Sequence, residues 1–164
     1  MLIKDGIHLE GNRINIPDCS RDDLAEFFLS RDYKVGTEIG VFRGVFTKVL
    51  CEAGLKVYGI DPYLAYRDYY GASSYQKRAD RMCKETQEML ATSGNFTLIK
   101  KKSMDALKDF KDESLDFVYI DGNHQLKYVI EDIHEWSKKV KKGGVISGHD
   151  YAYFSNTRNV CLNM

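Results

Sequence analysis

A strand, a glycine turn, a helix and a second strand ending in a carboxylate lie between Val35 and Asp61, and this run constrains the fold more than any other stretch. Val35-Gly-Thr-Glu-Ile39 reads as an apolar strand and Gly40-Val-Phe-Arg-Gly44 as its turn. Phe46, Val49, Leu50 and Ala53 then recur at helical spacing, with Gly54 as a C-terminal stop. Lys56-Val-Tyr-Gly-Ile60 is a second short strand, and Asp61 closes it about 20 residues past the turn. A β-α-β unit with an acid at that place can hold a nucleoside ribose where the strand order reverses. The glycines are spaced G-x-x-x-G (Gly40, Gly44), not G-x-G-x-x-G, so the tight turn that a pyrophosphate requires is absent. A ligand with a ribose and no phosphate needs only the turn and the acid. The plainer alternative is an α/β crossover whose glycines merely shape the turn.

The remaining elements repeat the alternation. Residues 1–17 alternate loosely around Glu10-Gly-Asn12, which predicts a small hairpin or an extended arm. Ser20 can cap a helix whose first turn holds Asp22 and Asp23 and whose apolar face is Leu24, Phe27 and Phe28. Residues 63–75 carry five tyrosines (Tyr63, Tyr66, Tyr69, Tyr70, Tyr75), a loop that either covers a ligand or packs its rings on the sheet. A helix follows from about Tyr75 to Thr92, then a strand at Phe96-Thr-Leu-Ile-Lys100, then a short helix from Met104 to Phe110. Leu115-Asp-Phe-Val-Tyr-Ile-Asp121 is apolar enough to be buried on both faces. Leu126, Val129, Ile130, Ile133, Trp136 and Val140 predict an amphipathic helix over 125–142, ended by Gly143-Gly144, before a fifth strand over 145–150.

Strand alternating with helix predicts an α/β fold: an open parallel sheet with helices on both faces. The 164 residues carry no repeat or linker and 43% hydrophobic content, so a single domain over 1–164 is expected. It divides into an N-terminal arm and helix (1–33), a core (34–151) and a short tail (152–164). Lys+Arg and Asp+Glu both number 24, which leaves no global field to recruit nucleic acid or an acidic membrane. The Lys100–Lys102 and Lys138–Lys142 clusters are local and read as a solvated rim. No apolar run approaches the roughly 18 residues of a membrane span, and the N-terminus lacks a signal peptide's apolar core. Cys19, Cys51, Cys83 and Cys161 are widely spaced, as reduced thiols of a cytoplasmic protein would be.

In an open α/β sheet, ligands bind at the carboxyl ends of the strands. Those ends supply Glu38 and Gly40, Asp61, Ser103, Asp121 with His124, and His149 with Asp150. Asp61 can accept two hydrogen bonds from ribose hydroxyls, or serve as a turn aspartate before Pro62. Asp121 and Asp150 end adjacent strands, so their carboxylates can converge on a hard divalent ion with His149 as a third ligand. Alternatively, they neutralise a cationic ligand. His124, three residues past Asp121 at a helix start, can take a proton from a substrate or only cap the helix.

Four stretches carry a resemblance: Glu38-Ile-Gly-Val-Phe-Arg-Gly44, Gly59-Ile-Asp61, Tyr119-Ile-Asp-Gly-Asn-His124 and Gly143-Gly-Val-Ile-Ser-Gly-His-Asp-Tyr151. They resemble class I S-adenosylmethionine-dependent methyltransferases, in the bacterial and phage branch with D-G-x-H and G-H-D-Y motifs that is related to sugar and small-molecule O-methyltransferases. The resemblance implies a Rossmann-like sheet of order 3-2-1-4-5. It implies Glu38, Gly40 and Gly44 as wall and floor for the methionine part of the cofactor, Asp61 for its ribose and Ser103 beside its adenine. Asp121 and Asp150, with His149, would hold Mg2+, Asp121 would also face the cofactor, and His124 would be the base for methyl transfer to a small-molecule or sugar hydroxyl. Such enzymes continue past the fifth strand with a helix and an antiparallel strand pair, for which the thirteen residues after Tyr151 are too few at about 5–6 per strand and 11 per helix. The expectation is therefore a sheet without its final antiparallel strands, whose open edge a second copy of the chain or the tail would cover. A shortened domain that binds the cofactor without catalysis is the alternative, and an NAD-type oxidoreductase is disfavoured by the glycine spacing.

Overall fold

The computed structural model describes residues 3, 19–65 and 75–149 and the strand residues 153–154 and 157–158. The expected N-terminal hairpin, the loop tyrosines Tyr66, Tyr69 and Tyr70, the fifth-strand acid Asp150 and Cys161 lie outside the described residues. A 3-10 turn, Arg21–Asp23, runs directly into helix α1, Leu24–Ser30. Ser20 starts it through a capping box: its side chain accepts from Asp22 N, and its backbone N donates to the Asp23 carboxylate at 2.6 Å. Strands and helices then alternate: β1 Val35–Ile39, α2 Val45–Glu52, β2 Lys56–Ile60, α3 Gln76–Leu90, β3 Phe96–Ile99, α4 Ser103–Ala106, β4 Leu115–Ile120, α5 Leu126–Ser137 and β5 Val140–Gly148.

All four strand pairings in the main sheet are parallel, in the order β3-β2-β1-β4-β5. Parallel strands require crossovers, and the crossovers place helices on both faces. On one face Phe28, Phe46, Leu50 and Val57 pack with Phe117 and Tyr119; on the other, Ile39, Ile60, Val118, Ile120 and Ile146 pack with Ala106 and Trp136. From Phe117 to Ile120 successive β4 residues alternate between these two cores, Leu115 joins the second of them, and all six β4 residues are buried despite the single acid at Asp116. Asp116 is neutralised where it lies. Its Oδ2 accepts from Lys34 N and Val35 N at 2.8 and 2.9 Å, and Lys141 Nζ donates to Oδ1 at 2.7 Å. One side chain thus ties the start of β1 to β4 and β5.

The last helix is shorter than its apolar periodicity predicts. It ends at Ser137, and Val140, expected on its face, pairs with Leu115 as the first residue of β5. Backbone competition decides this: Ser114 N and Leu115 N both donate to Lys139 O at 2.9 Å, so β4 captures the chain before another helical turn forms. The two glycines sit inside the strand. The register jumps from Leu115–Val140 to Phe117–Val145, and the extra residues bulge out through Gly143, whose φ is +83°. Beyond β5, two-residue strands β6 (Tyr153–Phe154) and β7 (Thr157–Arg158) pair antiparallel in a sheet of their own, so the main sheet gains no antiparallel strand among the described residues.

Cys19, Cys51 and Cys83 form no disulfide. No helix among the described residues is long and apolar enough to cross a membrane. The Phe117 ring is fully buried and stacks on Phe28 with centroids 4.2 Å apart, which joins α1 to the sheet centre. Phe117→Ala should therefore cost about 3–5 kcal/mol of unfolding free energy. Urea denaturation checks this, and a loss under about 1 kcal/mol would show that α1 repacks onto the sheet without the ring.

Candidate functional site

One backbone pattern repeats along the carboxyl edge of the sheet. Gly40 N donates to Ile60 O at 2.8 Å, Asp61 N to Ile99 O at 3.3 Å, Asp121 N to Ile39 O at 2.8 Å and His149 N to Ile120 O at 3.0 Å. Each residue just past a strand end is thus tethered to its neighbour's last carbonyl, and their side chains emerge at one level. A cavity of about 520 Å³ opens there, within the size range of small-molecule sites. Its floor is the strand-end residues Ile39, Gly40, Ile60 and Asp61, and its walls come from the turns after β2, β3 and β4 and from α5.

Gly40, Asp61, Ser103, Asp121, His124 and His149 all line this cavity. Glu38 and Gly44 do not. Glu38 lies behind the wall, 2% exposed, where Thr47 Oγ1 donates to its Oε2. Gly44 packs away from the cavity, with φ +70° and a hypothetical Cβ only 2.8 Å from Thr86 Cγ2 on α3. Gly40 has φ +89°, and a Cβ there would lie 2.2 Å from Asp121 O, so no other residue lets the β1 and β4 turns pass so closely.

Asp61 is pinned before any ligand arrives. Oδ2 accepts from Phe42 N at 3.0 Å and Oδ1 from Tyr63 N at 2.8 Å, which leaves each oxygen a further acceptor site. Burial raises its pKa, and the Phe42, Tyr63 and Val41 amides oppose that rise. The Phe42 peptide, itself at φ 54°, is gripped from the other side by Thr86 Oγ1, which donates to Phe42 O at 3.2 Å. Tyr63 is 2% exposed with its hydroxyl 3.2 Å from Thr86 Oγ1, so this tyrosine packs instead of covering the mouth; Tyr75 is exposed.

Asp121 faces a guanidinium and an imidazole. Arg21 Nη1 lies 3.5 Å from Oδ2 and His149 Nδ1 lies 3.9 Å from Oδ1. Arg21 also sits over the Phe46 ring, 5.5 Å from its centroid, so the N-terminal 3-10 turn reaches across the sheet end. Among the described residues no group of three or more His, Cys, Asp or Glu side chains could hold a metal ion. The described donor set therefore does not fit a divalent ion.

Three contributors escaped the sequence reading: Arg21, Asp132 and Trp136. Asp132 is 4% exposed and lines the cavity, and Ser103 Oγ donates to its Oδ1. Trp136 Nε1 donates to Ser103 Oγ at 2.7 Å. The signal for Asp132 was available, since Val129, Asp132, Ile133 and Trp136 share one helix face, and an acid on an apolar face asks for a partner. Within the cationic clusters Lys101 pairs with Asp109, Lys138 with Glu135, Lys139 with Asp112 and Lys141 with Asp116, whereas Lys102 lines the cavity. His134 is exposed beside Glu135.

A strand-end cavity with a pinned acid after β2 and an acid and histidine after β4, on a 3-2-1-4-5 parallel sheet, is the arrangement of a class I methyltransferase. The chain belongs to the methyltransferase domain family, whose model matches residues 37–151. No curated protein matches it in sequence. Solved structures share its fold. A candidate caffeoyl-CoA O-methyltransferase from Staphylococcus aureus superposes with TM-score 0.61 at 14% identity, over 84% of this chain and 62% of that one. An O-methyltransferase from Bacillus cereus in complex with SAH gives 0.58 at 18%, over 82% and 57%. An rRNA methylase from Streptococcus thermophilus gives 0.57 at 16%, over 81% and 72%. The chain spans about six-tenths of the length of the first two.

Glu38 supplies a test of the buried wall. Burial, opposed by the Thr47 hydrogen bond and reinforced by Asp121, pushes its pKa from 4.5 up to about 8. The folded state then holds a proton that the unfolded chain releases between those values, so stability falls as pH rises from 4.5 through about 8. Glu38→Gln removes this loss and should gain on wild type by on the order of 5 kcal/mol across that window. Urea titrations along the pH series check it, and a stability difference that does not vary with pH would refute the assignment.

Proposed function

We propose that the chain binds S-adenosylmethionine in the strand-end cavity and methylates a hydroxyl of a small molecule or sugar. The observation that carries this reading is the pinned Asp61 carboxylate. It sits at the end of β2 with acceptor capacity left over, beside a turn whose glycines are spaced G-x-x-x-G. The B. cereus neighbour, solved with SAH, supports the same ligand class.

The residues present fit such a ligand. Asp61 would accept from the ribose hydroxyls, Ile39, Ile60, Pro62 and Met104 offer apolar surface to a base, and Asp121 favours a positive charge near the cavity centre. Glu38 and Gly44 would act from behind, by shaping the wall that carries Gly40. The bound cofactor would supply a methyl group on a cationic sulfonium. His124 would take the proton from the acceptor hydroxyl as its oxygen attacks, and the narrow cavity would hold the reacting atoms in line.

An Mg2+ ion held by Asp121, His149 and Asp150 would first have to displace Arg21 from Asp121. A small acceptor is favoured over nucleic acid by the net charge of zero and by the pairing of the rim lysines with acids. A second copy across β5, which has a strand on one side only among the described residues, would complete the sheet edge, and light scattering reads that directly. Cysteines without disulfides suit a cytoplasmic setting.

Titration calorimetry with S-adenosylhomocysteine and with NAD is the decisive measurement. S-adenosylhomocysteine should bind and NAD should not, and Asp61→Ala should lose about 1.5–3 kcal/mol of the binding free energy. NAD binding without a response to S-adenosylhomocysteine overturns the reading. In turnover assays over an acceptor panel, His124→Ala should lower kcat by about 10²–10⁴-fold while leaving cofactor affinity intact. Binding without turnover on any acceptor would favour a binding domain without catalysis, and activity lost to a chelator would restore the metal.

A further inference from the structure

The wall formed by α4 and α5 carries a buried carboxylate to which methyl transfer assigns no task. Asp132 shares the inward face of α5 with Ile133 and Trp136, and that face carries it into the protein. Its Oδ1 is occupied by the Ser103 hydroxyl, which in turn accepts from the fully buried Trp136 indole. A hydroxyl has one hydrogen, so Ser103 has none left to offer a ligand, although it lines the cavity.

Asp105, Tyr128 and Glu131 also line this wall, but the polar atom that belongs to a buried side chain and is left over by the Ser103 bond is Asp132 Oδ2. It lies beside Gly122, where a Cβ would stand 3.9 Å away, and among the described residues no donor reaches it. Both Asp132 and Gly122 line the cavity. Burial, opposed by the Ser103 hydrogen bond and reinforced by the nearby Glu131 charge, pushes the Asp132 carboxyl up to about 6, and among the described residues no cation pairs with it. A buried acceptor in this state is stabilised by a neutral N–H donor that needs no desolvation of a full charge.

Building on the cofactor reading above, we propose that Asp132 is the residue by which the site distinguishes adenine from other purines: Oδ2 accepts a hydrogen from the exocyclic amine, and Ser103 and Trp136 lock the carboxylate in the required rotamer. Hypoxanthine presents a carbonyl oxygen at the same edge. Two acceptors would then face each other in a dry wall, and the mismatch is a repulsion as well as a lost bond. The Ser103–Trp136 pair supplies rigidity, because a carboxylate free to rotate could turn away from the carbonyl and lose its discrimination.

Calorimetric titration of the whole chain with S-adenosylhomocysteine and with S-inosylhomocysteine tests this. Wild type should bind the adenosyl ligand roughly 10- to 100-fold more tightly than the inosyl ligand. Asp132→Asn, whose amide can donate to the carbonyl, should bring the two affinities within roughly threefold of each other. Asp61→Ala should weaken both ligands alike and leave their ratio unchanged, since the ribose is common to them. Equal wild-type affinities overturn the proposal and leave the cofactor reading standing. An unchanged ratio in Asp132→Asn overturns it too. Binding of neither ligand overturns both. The wild-type comparison decides even where the Asp132→Asn protein does not fold.

Discussion

The site depends on one close approach. Where β1 and β4 leave the sheet, the backbone at Gly40 passes the Asp121 carbonyl at a distance that excludes even a methyl group. That contact sets the level at which the strand-end side chains emerge. Asp121 N and Gly40 N are tethered to Ile39 O and Ile60 O on either side of it, and Asp61 and His149 repeat the bond one strand further out. Backbone hydrogen bonds hold the row, so the side chains stay available for the cavity. A wider separation at Gly40 would move Asp61 and Asp121 off the common floor.

Around that floor the polar groups are arranged in advance at an electrostatic cost. Glu38 and Asp132 are carboxyls that burial makes reluctant to ionise, and each receives one hydroxyl hydrogen, from Thr47 and Ser103 respectively. Asp61 receives two backbone amides and keeps spare acceptor capacity. The difference is functional in character. Glu38 stiffens the wall from behind, while Asp61 and Asp132 face the cavity with lone pairs that no donor among the described residues fills. Asp121 differs again, because Arg21 and His149 approach it from the protein side. On the proposed reading, a cationic ligand competes with Arg21 for it.

Legibility tracked the range of the interactions involved. The strands β1 to β4, the helix caps at Ser20 and Gly54, and the acids and histidine at strand ends are local patterns of period, punctuation and position, and they stand where the periodicity places them. The end of α5 does not. Its apolar spacing runs on to Val140, but the amides of Ser114 and Leu115 take Lys139 O, a bond made with a strand more than twenty residues earlier in the chain. Arg21 was invisible for the same reason, since nothing near it in sequence indicates that it reaches Asp121. Asp132 lay between these cases: the helix face announced its burial, but only packing against Ser103 and Trp136 gave the burial a use.

The sequence by itself therefore determined the alternating α/β order, the doubly buried central strand and the set of residues that reach the carboxyl edge, because these follow from side-chain period and from the chemistry of glycine and of caps. Tertiary structure decided which of them face the cavity. Gly40, Asp61, Ser103, Asp121, His124 and His149 line it, whereas Glu38 and Gly44 were turned into the packing by Thr47 and Thr86. Whether a strand-end residue points at a ligand or at a neighbouring helix depends on what the crossover helices place beside it. That partner is remote in the chain, so no local pattern encodes it.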